Sequence, residues 1–91
     1  MQTVYKYPIQ ELREIVELEL PSCSRILHVY PQRYGICVWA LVNPHNKTTE
    51  IHRLRIAGTG HPIEGNWRYL TLIHESVFVW HIFEEEKCPT A

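Results

Sequence analysis

Two stretches of the sequence, 36–42 and 77–83, are apolar at nearly every position and rich in β-branched and aromatic residues. Such runs are typical of strands that are covered on both faces. Helices would be a usual cover, yet the chain offers only one candidate helical turn, at 10–13. A sheet built in this way has to pack on a second sheet, roll into a barrel, or bury its spare face on another subunit.

Five further stretches have strand character and are bounded by turn-forming residues: 4–7, 14–20, 25–30, 50–57 and 67–73. The second alternates between apolar residues and glutamates, and in the third Leu27 and Val29 should share one face. The last should form a closing hairpin with 77–83, turned at 74–76. The sequence predicts an all-β, mainly antiparallel fold: a small β-sandwich or partly open barrel of six to seven strands.

A chain of 91 residues is long enough for a single domain. We expect that domain to cover 1–91, with an ordered core over about 4–84 and a frayed tail at 85–91. Its core would be small for a stand-alone monomer. We therefore expect a homo-oligomer.

Charge excludes two classes of partner. Nine basic residues oppose ten acidic ones, a formal net charge of −1, and every acid is Glu. Wholesale electrostatic capture of nucleic acid needs a basic surplus, and a DNA mimic needs a strong acidic one. We expect neither.

Cysteines and histidines point to no metal, cofactor or disulfide framework. The three cysteines form no CxxC pair, and the six histidines show no HExxH pattern. We expect the cysteines to be reduced thiols, and no signal-peptide pattern opens the sequence. The longest apolar run has seven residues, which is too short for a bilayer. Together these features predict a cytoplasmic protein without a membrane segment.

The loop at 58–62 is the first candidate site. Gly58 and Gly60 bracket Thr59, so backbone N–H groups could form a concave nest for a phosphate or carboxylate, and His61 could add a switchable cation. It is no P-loop, because neither the Lys-Ser/Thr pair nor a helix follows. The alternative is a plain tight connection between two strands.

An arginine pair leads directly into this loop. Arg53 and Arg55 share one side of a predicted strand, and Arg68 should lie on its neighbour. Arginine holds phosphates with two parallel hydrogen bonds, and Trp39 or Trp67 could stack on a base. The alternative is an ordinary solvated strand face.

Catalysis has little support in the residues. His61 or His81 could act as a general base, but the chain has no Asp and no nucleophile elbow. We therefore expect a protein without enzymatic activity.

Four stretches carry a family resemblance: YKYP at 5–8, CVWALVNP at 37–44, IAGTGHPI at 56–63 and VWHIFE at 79–84. The chain resembles a family of small uncharacterised bacteriophage proteins over about 5–84. The resemblance implies a phage accessory factor in the host cytoplasm, of the kind that blunts host defences. It assigns no activity and no functional residue.

These expectations combine into one functional hypothesis, the sequestration of a small anionic ligand such as a nucleotide-type immune signal. Arg53, Arg55, His61 and the 58–60 backbone would bind its charge. Two alternatives remain open: a protein that docks an aromatic face on a host defence effector, and a small hydrolase that degrades the signal.

Overall fold

Two antiparallel sheets make up the fold of the computed structural model, which describes residues 1–33 and 35–86. These residues form seven strands and no helix: β1 (Thr3–Pro8), β2 (Ile15–Pro21), β3 (Arg25–Gln32), β4 (Gly35–Val42), β5 (Thr49–Gly58), β6 (Trp67–Glu75) and β7 (Phe78–Glu85). The three-stranded sheet has the order β1-β4-β3 and the four-stranded sheet β2-β5-β7-β6. The all-β prediction is confirmed, with two separate sheets rather than a closed barrel.

One apolar cluster joins the two sheets. Alternate residues of β4, such as Val38 and Ala40, meet alternate residues of β5, such as Leu54 and Ile56, and all four are nearly inaccessible to solvent. Burying a Val, Leu or Ile side chain contributes about 1.5–3 kcal/mol, so this cluster is the main stabilising feature of the fold. Each sheet therefore has an inner face in the core and an outer face.

The outer face of the three-stranded sheet is only partly covered. Trp39 is half-buried there, with Lys6 and His28 as its neighbours across β1 and β3. Leu41, on the same face, is also half-buried, whereas the Cys37 thiol is buried. The full second cover that the sequence predicts for 36–42 is absent from the described residues.

Local details correct three sequence predictions. No helical turn forms at 10–13. A β-bulge at Leu27 interrupts the alternation of β3, so Ile26 and Val29 both face the core and Leu27 is exposed. The closing hairpin forms as predicted, but its turn lies at Ser76 and Val77.

Regular structure continues slightly beyond residue 84, the predicted end of the ordered core. β7 continues to Glu85, and the Glu86 N–H donates to the Asn66 carbonyl at 2.9 Å. The rest of the predicted tail, 87–91, lies outside the described residues. No helix long and apolar enough to cross a membrane occurs in the described part of the chain.

Candidate functional site

Arg55 is a buried cation on the outer face of the four-stranded sheet. The loop at 59–66 packs over it and leaves 8% of the residue exposed. Its Nη1 donates to the Ile56 carbonyl (2.7 Å) and its Nη2 to the Pro62 carbonyl (3.1 Å), which fastens the loop to β5. Within the described residues its ion-pair partner is Glu14, at 3.2 Å, whose side chain is 74% exposed. Because that carboxylate is solvated, a bound anion could take its place.

Arg53 lies on the same face but is more strongly engaged. Its Nη1 is 2.8 Å from Glu85 Oε2, and its Nε is 3.6 Å from Glu17 Oε2. An anion at Arg53 would have to displace two carboxylates, so the arginine pair does not act as one unit.

The predicted glycine nest is a closed turn. The His61 N–H donates to the Gly58 carbonyl (3.1 Å), and the Gly58 N–H donates to His61 Nδ1 (3.2 Å). Gly60 adopts a φ of +92°, a conformation that side chains disfavour. Since the turn itself uses the Gly58 N–H, that donor is not available to a ligand in this conformation.

The Thr59 side chain contacts the sheet. Its Oγ1 is 2.8 Å from His81 Nε2, and the Tyr69 hydroxyl is 2.9 Å from His81 Nδ1. Both ring nitrogens of His81 are therefore hydrogen-bonded to hydroxyl groups.

The two tryptophans proposed as alternatives for stacking on a base lie in different parts of the molecule. Trp67 donates its indole N–H to the Glu64 carbonyl (2.7 Å) and lines a cavity of about 520 Å³ with Arg53 and Arg55. Three glutamates also line that cavity, which makes it unfavourable for an anion: Glu14, Glu64 and Glu85. Trp39 lies on the other sheet's outer face, on the opposite side of the molecule.

A second cavity, of about 380 Å³, lies between the segment 12–14 and the 58–62 turn. The Ile56 N–H donates to the Glu14 carbonyl (2.9 Å), which holds the segment beside β5. We call this cavity the Arg55 cleft. Its lining is Leu12, Arg13, Glu14, Arg55, Ile56, His61, Pro62 and Trp80.

The Arg55 cleft carries a surplus of positive charge. Arg13 and Arg55 line it, against the carboxylate of Glu14, and His61 adds a ring whose Nδ1 accepts from the Gly58 N–H. Arg13 pairs with Glu11 at 2.7 Å, but both side chains are 67% exposed, and such surface pairs contribute about 0–1 kcal/mol. Arg13 can therefore turn towards an anion in the cleft at little cost.

Sequence reasoning found Arg55 and His61 but missed Arg13, Leu12 and Trp80. Arg13 lies in a segment predicted as a helical turn, and Trp80 in a strand predicted as core. No spacing pattern connects them with β5, because only the tertiary fold brings the three segments together.

A buried ionic cluster lies on the inner face of the same sheet. His52, 7% exposed, holds Glu84 through Nδ1 and Glu50 through Nε2, both at 2.9 Å. Arg68 also reaches Glu84, at 2.7 Å. Arg68 is thus not beside Arg53 and Arg55 as predicted, because β7 separates β5 from β6 and the cluster points inward.

Hydrogen bonds set the charges of this cluster. The bond to Glu84 raises the pKa of His52 above its ordinary value, against the opposite effect of burial, and the bond to Glu50 adds to the rise. Burial raises the pKa of Glu84, but hydrogen bonds from His52 and Arg68 outweigh it, so that this pKa is lowered. With both ring nitrogens bonded to carboxylates, His52 is a structural cation rather than a free base or metal ligand.

Within the described residues, no group of three or more His, Cys, Asp or Glu side chains could hold a metal ion.

A family model described as a domain of unknown function (DUF7352) matches residues 1–90. No curated protein and no solved structure matches the chain. The family description names no reaction, ligand or partner.

Proposed function

Since the chain belongs to the family described as a domain of unknown function (DUF7352), we propose its function from the Arg55 cleft. The protein binds and sequesters a small anionic ligand there and does not alter it chemically. The observation that carries the proposal is a buried guanidinium, Arg55, beside a cavity in which the exposed Glu14 is the one carboxylate among the described lining residues.

The chemistry of the cleft favours a phosphate group joined to a flat apolar one. Arginine forks bind phosphate oxygens, and His61 can donate from Nε2 while its Nδ1 accepts from the loop. Leu12, Pro62 and Trp80 provide apolar surface on which a base could lie. A volume of about 380 Å³ is within the ordinary range of small-molecule pockets. These features suit a nucleotide.

The biological setting follows from the resemblance to small bacteriophage proteins. We propose that the ligand is a nucleotide-type immune signal and that the protein removes it in the cytoplasm of the host cell, as a homo-oligomer. A protein of this kind needs affinity rather than turnover, which agrees with the two arginines that line the cleft.

Calorimetric titration tests the proposal with pyrophosphate, mononucleotides, cyclic dinucleotides and ADP-ribose, and with adenosine as an uncharged comparison. At a ligand concentration 100 times its dissociation constant, binding stabilises the fold by about 2.7 kcal/mol, which a thermal-shift assay detects. We expect at least one phosphorylated ligand to bind and adenosine to bind much more weakly. A folded protein that binds none of them would contradict the proposal.

Arg13→Ala provides the site-specific variant, because Arg13 is exposed and pairs with the exposed Glu11. A hydrogen bond to a charged group contributes about 1.5–3 kcal/mol, so affinity should fall roughly ten-fold or more. Arg25→Ala removes the same charge at an exposed position, the first residue of β3 in the other sheet, and should leave the affinity unchanged. Equal losses in both variants would show a general charge effect instead of a site.

Protein docking is the second candidate function, and the outer face of the three-stranded sheet favours it. Val4, Leu27 and Tyr30 are each about half exposed there, around the half-buried Trp39. Aromatic and apolar surface of this kind is enriched at protein interfaces. Capture of one host defence protein, unaffected by nucleotides and lost on Trp39→Ala, would favour this function over sequestration.

Hydrolysis of the ligand is tested in the same titrations. The contact between Thr59 Oγ1 and His81 Nε2, at 2.8 Å, is the arrangement that could activate a hydroxyl group. Ligand recovered unchanged after incubation supports sequestration. Ligand that the wild type alters and Thr59→Val leaves unchanged supports hydrolysis.

A further inference from the structure

Strand β1 is the least protected sheet edge in the described part of the chain. Unpaired edges invite pairing with another strand, and natural proteins usually protect them with charges, prolines or bulges. Bulges interrupt the edge strands β3 and β6, and exposed Glu17 and Glu19 lie on the edge strand β2. β1 keeps an unbroken register with β4 from Thr3 to Pro8, and its protection is limited to one charge, Lys6, and the proline at its end, Pro8.

Backbone geometry shows which groups of β1 face the open edge. The Ile9 N–H donates to the Ile36 carbonyl at 2.8 Å, so that pair is a hydrogen-bonded one. Hydrogen-bonded pairs alternate along an antiparallel ladder, so Tyr5 and Tyr7 also point their backbone groups at β4. Val4 and Lys6 then point theirs outward. Pro8, which lacks an N–H, occupies the next outward position, where none is needed.

We propose that β1 pairs antiparallel with β1 of a second copy of this chain, about a two-fold axis at Tyr5. Val4 of one copy then faces Lys6 of the other, and their outward N–H and C=O groups form four hydrogen bonds across the axis. The two Tyr5 side chains become direct cross-strand neighbours, an aromatic pair that stabilises sheets. The result is one continuous six-stranded sheet.

Charge and strand length select this register. An axis at Lys6 would place two lysines directly opposite each other, which is destabilising. An axis at Val4 would pair Lys6 with Gln2, a residue that precedes the strand. The Tyr5 axis avoids both, and it would cover Val4 and Tyr5, which are 49% and 46% exposed in the single chain.

Sedimentation equilibrium of the full chain tests the pairing. We expect twice the mass of one chain at high concentration. Lys6→Pro removes an outward N–H without touching the β1–β4 ladder and should give single chains, while the matched control Lys6→Ala keeps the N–H and should stay dimeric. A wild type that remains a single chain at every concentration, or a Lys6→Pro variant as dimeric as Lys6→Ala, would overturn the proposal.

Position 5 gives a test of the register itself. Tyr5→Glu and Tyr5→Lys should each weaken self-association, because like charges would meet on the axis. An equimolar mixture should recover association as a one-to-one pair of the two variants, because opposite charges then meet. Circular dichroism confirms that each variant is folded; folded variants whose mixture stays monomeric would contradict the Tyr5 axis.

Discussion

The buried His52 cluster allows a quantitative prediction for His52→Gln. His52 Nδ1 and Nε2 are each 2.9 Å from a carboxylate oxygen, of Glu84 and Glu50 respectively. Glutamine keeps a similar size and a hydrogen-bond donor but cannot carry the positive charge that both carboxylates face. The substitution therefore leaves a buried negative charge on the inner face of the sheet less well compensated.

The magnitude follows from the contacts that are lost. Two hydrogen bonds to charged groups contribute about 1.5–3 kcal/mol each. Glu84 keeps Arg68 at 2.7 Å, and the Glu50 side chain is 27% exposed, so both retain some compensation. We expect His52→Gln to lower the free energy of unfolding by about 3 kcal/mol, near the lower end of that sum.

The same cluster predicts how stability changes with pH. The pKa of His52 is raised in the folded state, so its contribution is complete below its ordinary value of 6.5 and is lost as pH rises through the folded pKa. The pKa of Glu84 is lowered, so its contribution is complete above 4.5 and is lost as pH falls through the folded pKa. The cluster therefore stabilises most between these two values.

Urea denaturation at a series of pH values between roughly 5.5 and 9 measures the cost of the substitution and the pH dependence that His52 causes. The wild type should lose stability as pH rises across this range, and His52→Gln should lose less. His45→Gln, in an exposed loop, is the matched control and should change stability by less than about 0.5 kcal/mol. Equal pH slopes in wild type and His52→Gln, or a loss below about 1 kcal/mol, would refute the reasoning.

Two further pairs of substitutions test the core and the loop. Leu54→Ala should lower the free energy of unfolding by about 2–5 kcal/mol, because Leu54 is fully buried, while Leu72→Ala on the surface should cost much less; chemical denaturation compares them. Gly60→Ala should lower the free energy of unfolding by about 1 kcal/mol through backbone strain at φ +92°. Gly58→Ala should mainly displace the His61 ring, which a new Cβ would meet at 3.1 Å. Chemical denaturation measures the first effect, and the His61 NMR signals report the second.

The strands were predictable because their signal is local. Alternation placed Val16, Leu18 and Leu20 on one face of β2, as the structure has them. It also placed Arg53 and Leu54 on opposite faces of β5, which the structure shows as well. Such alternation follows directly from the pleat of a strand. Sequence therefore predicts faces well wherever a strand is regular.

Departures from regular pairing were not predictable. The bulge at Leu27 adds a residue to β3 without any glycine to mark it, so the predicted faces of that strand were wrong. Strand order was also open, and β7 separates Arg68 from the β5 arginines. Both features depend on long-range packing, which local patterns do not encode.

The candidate site was only half predictable for the same reason. Arg55, His61 and the loop between them are close in sequence, so a local pattern could identify them. The partners of the two arginines came from distant segments: Glu14 for Arg55, and Glu85 for Arg53. Those contacts decide which arginine lies beside an anion-favouring cleft.

The indole N–H signals of three tryptophans test the central claim most directly. Trp80 lines the Arg55 cleft, Trp67 lines the neighbouring acidic cavity, and Trp39 lies on the opposite side of the molecule. In a nitrogen-edited NMR titration with pyrophosphate, the Trp80 indole signal should shift and saturate together with the Arg55 Nε signal. The Trp39 indole signal should not shift. A response centred on Trp39 or Trp67, or no saturable response at all, would contradict anion binding in the Arg55 cleft.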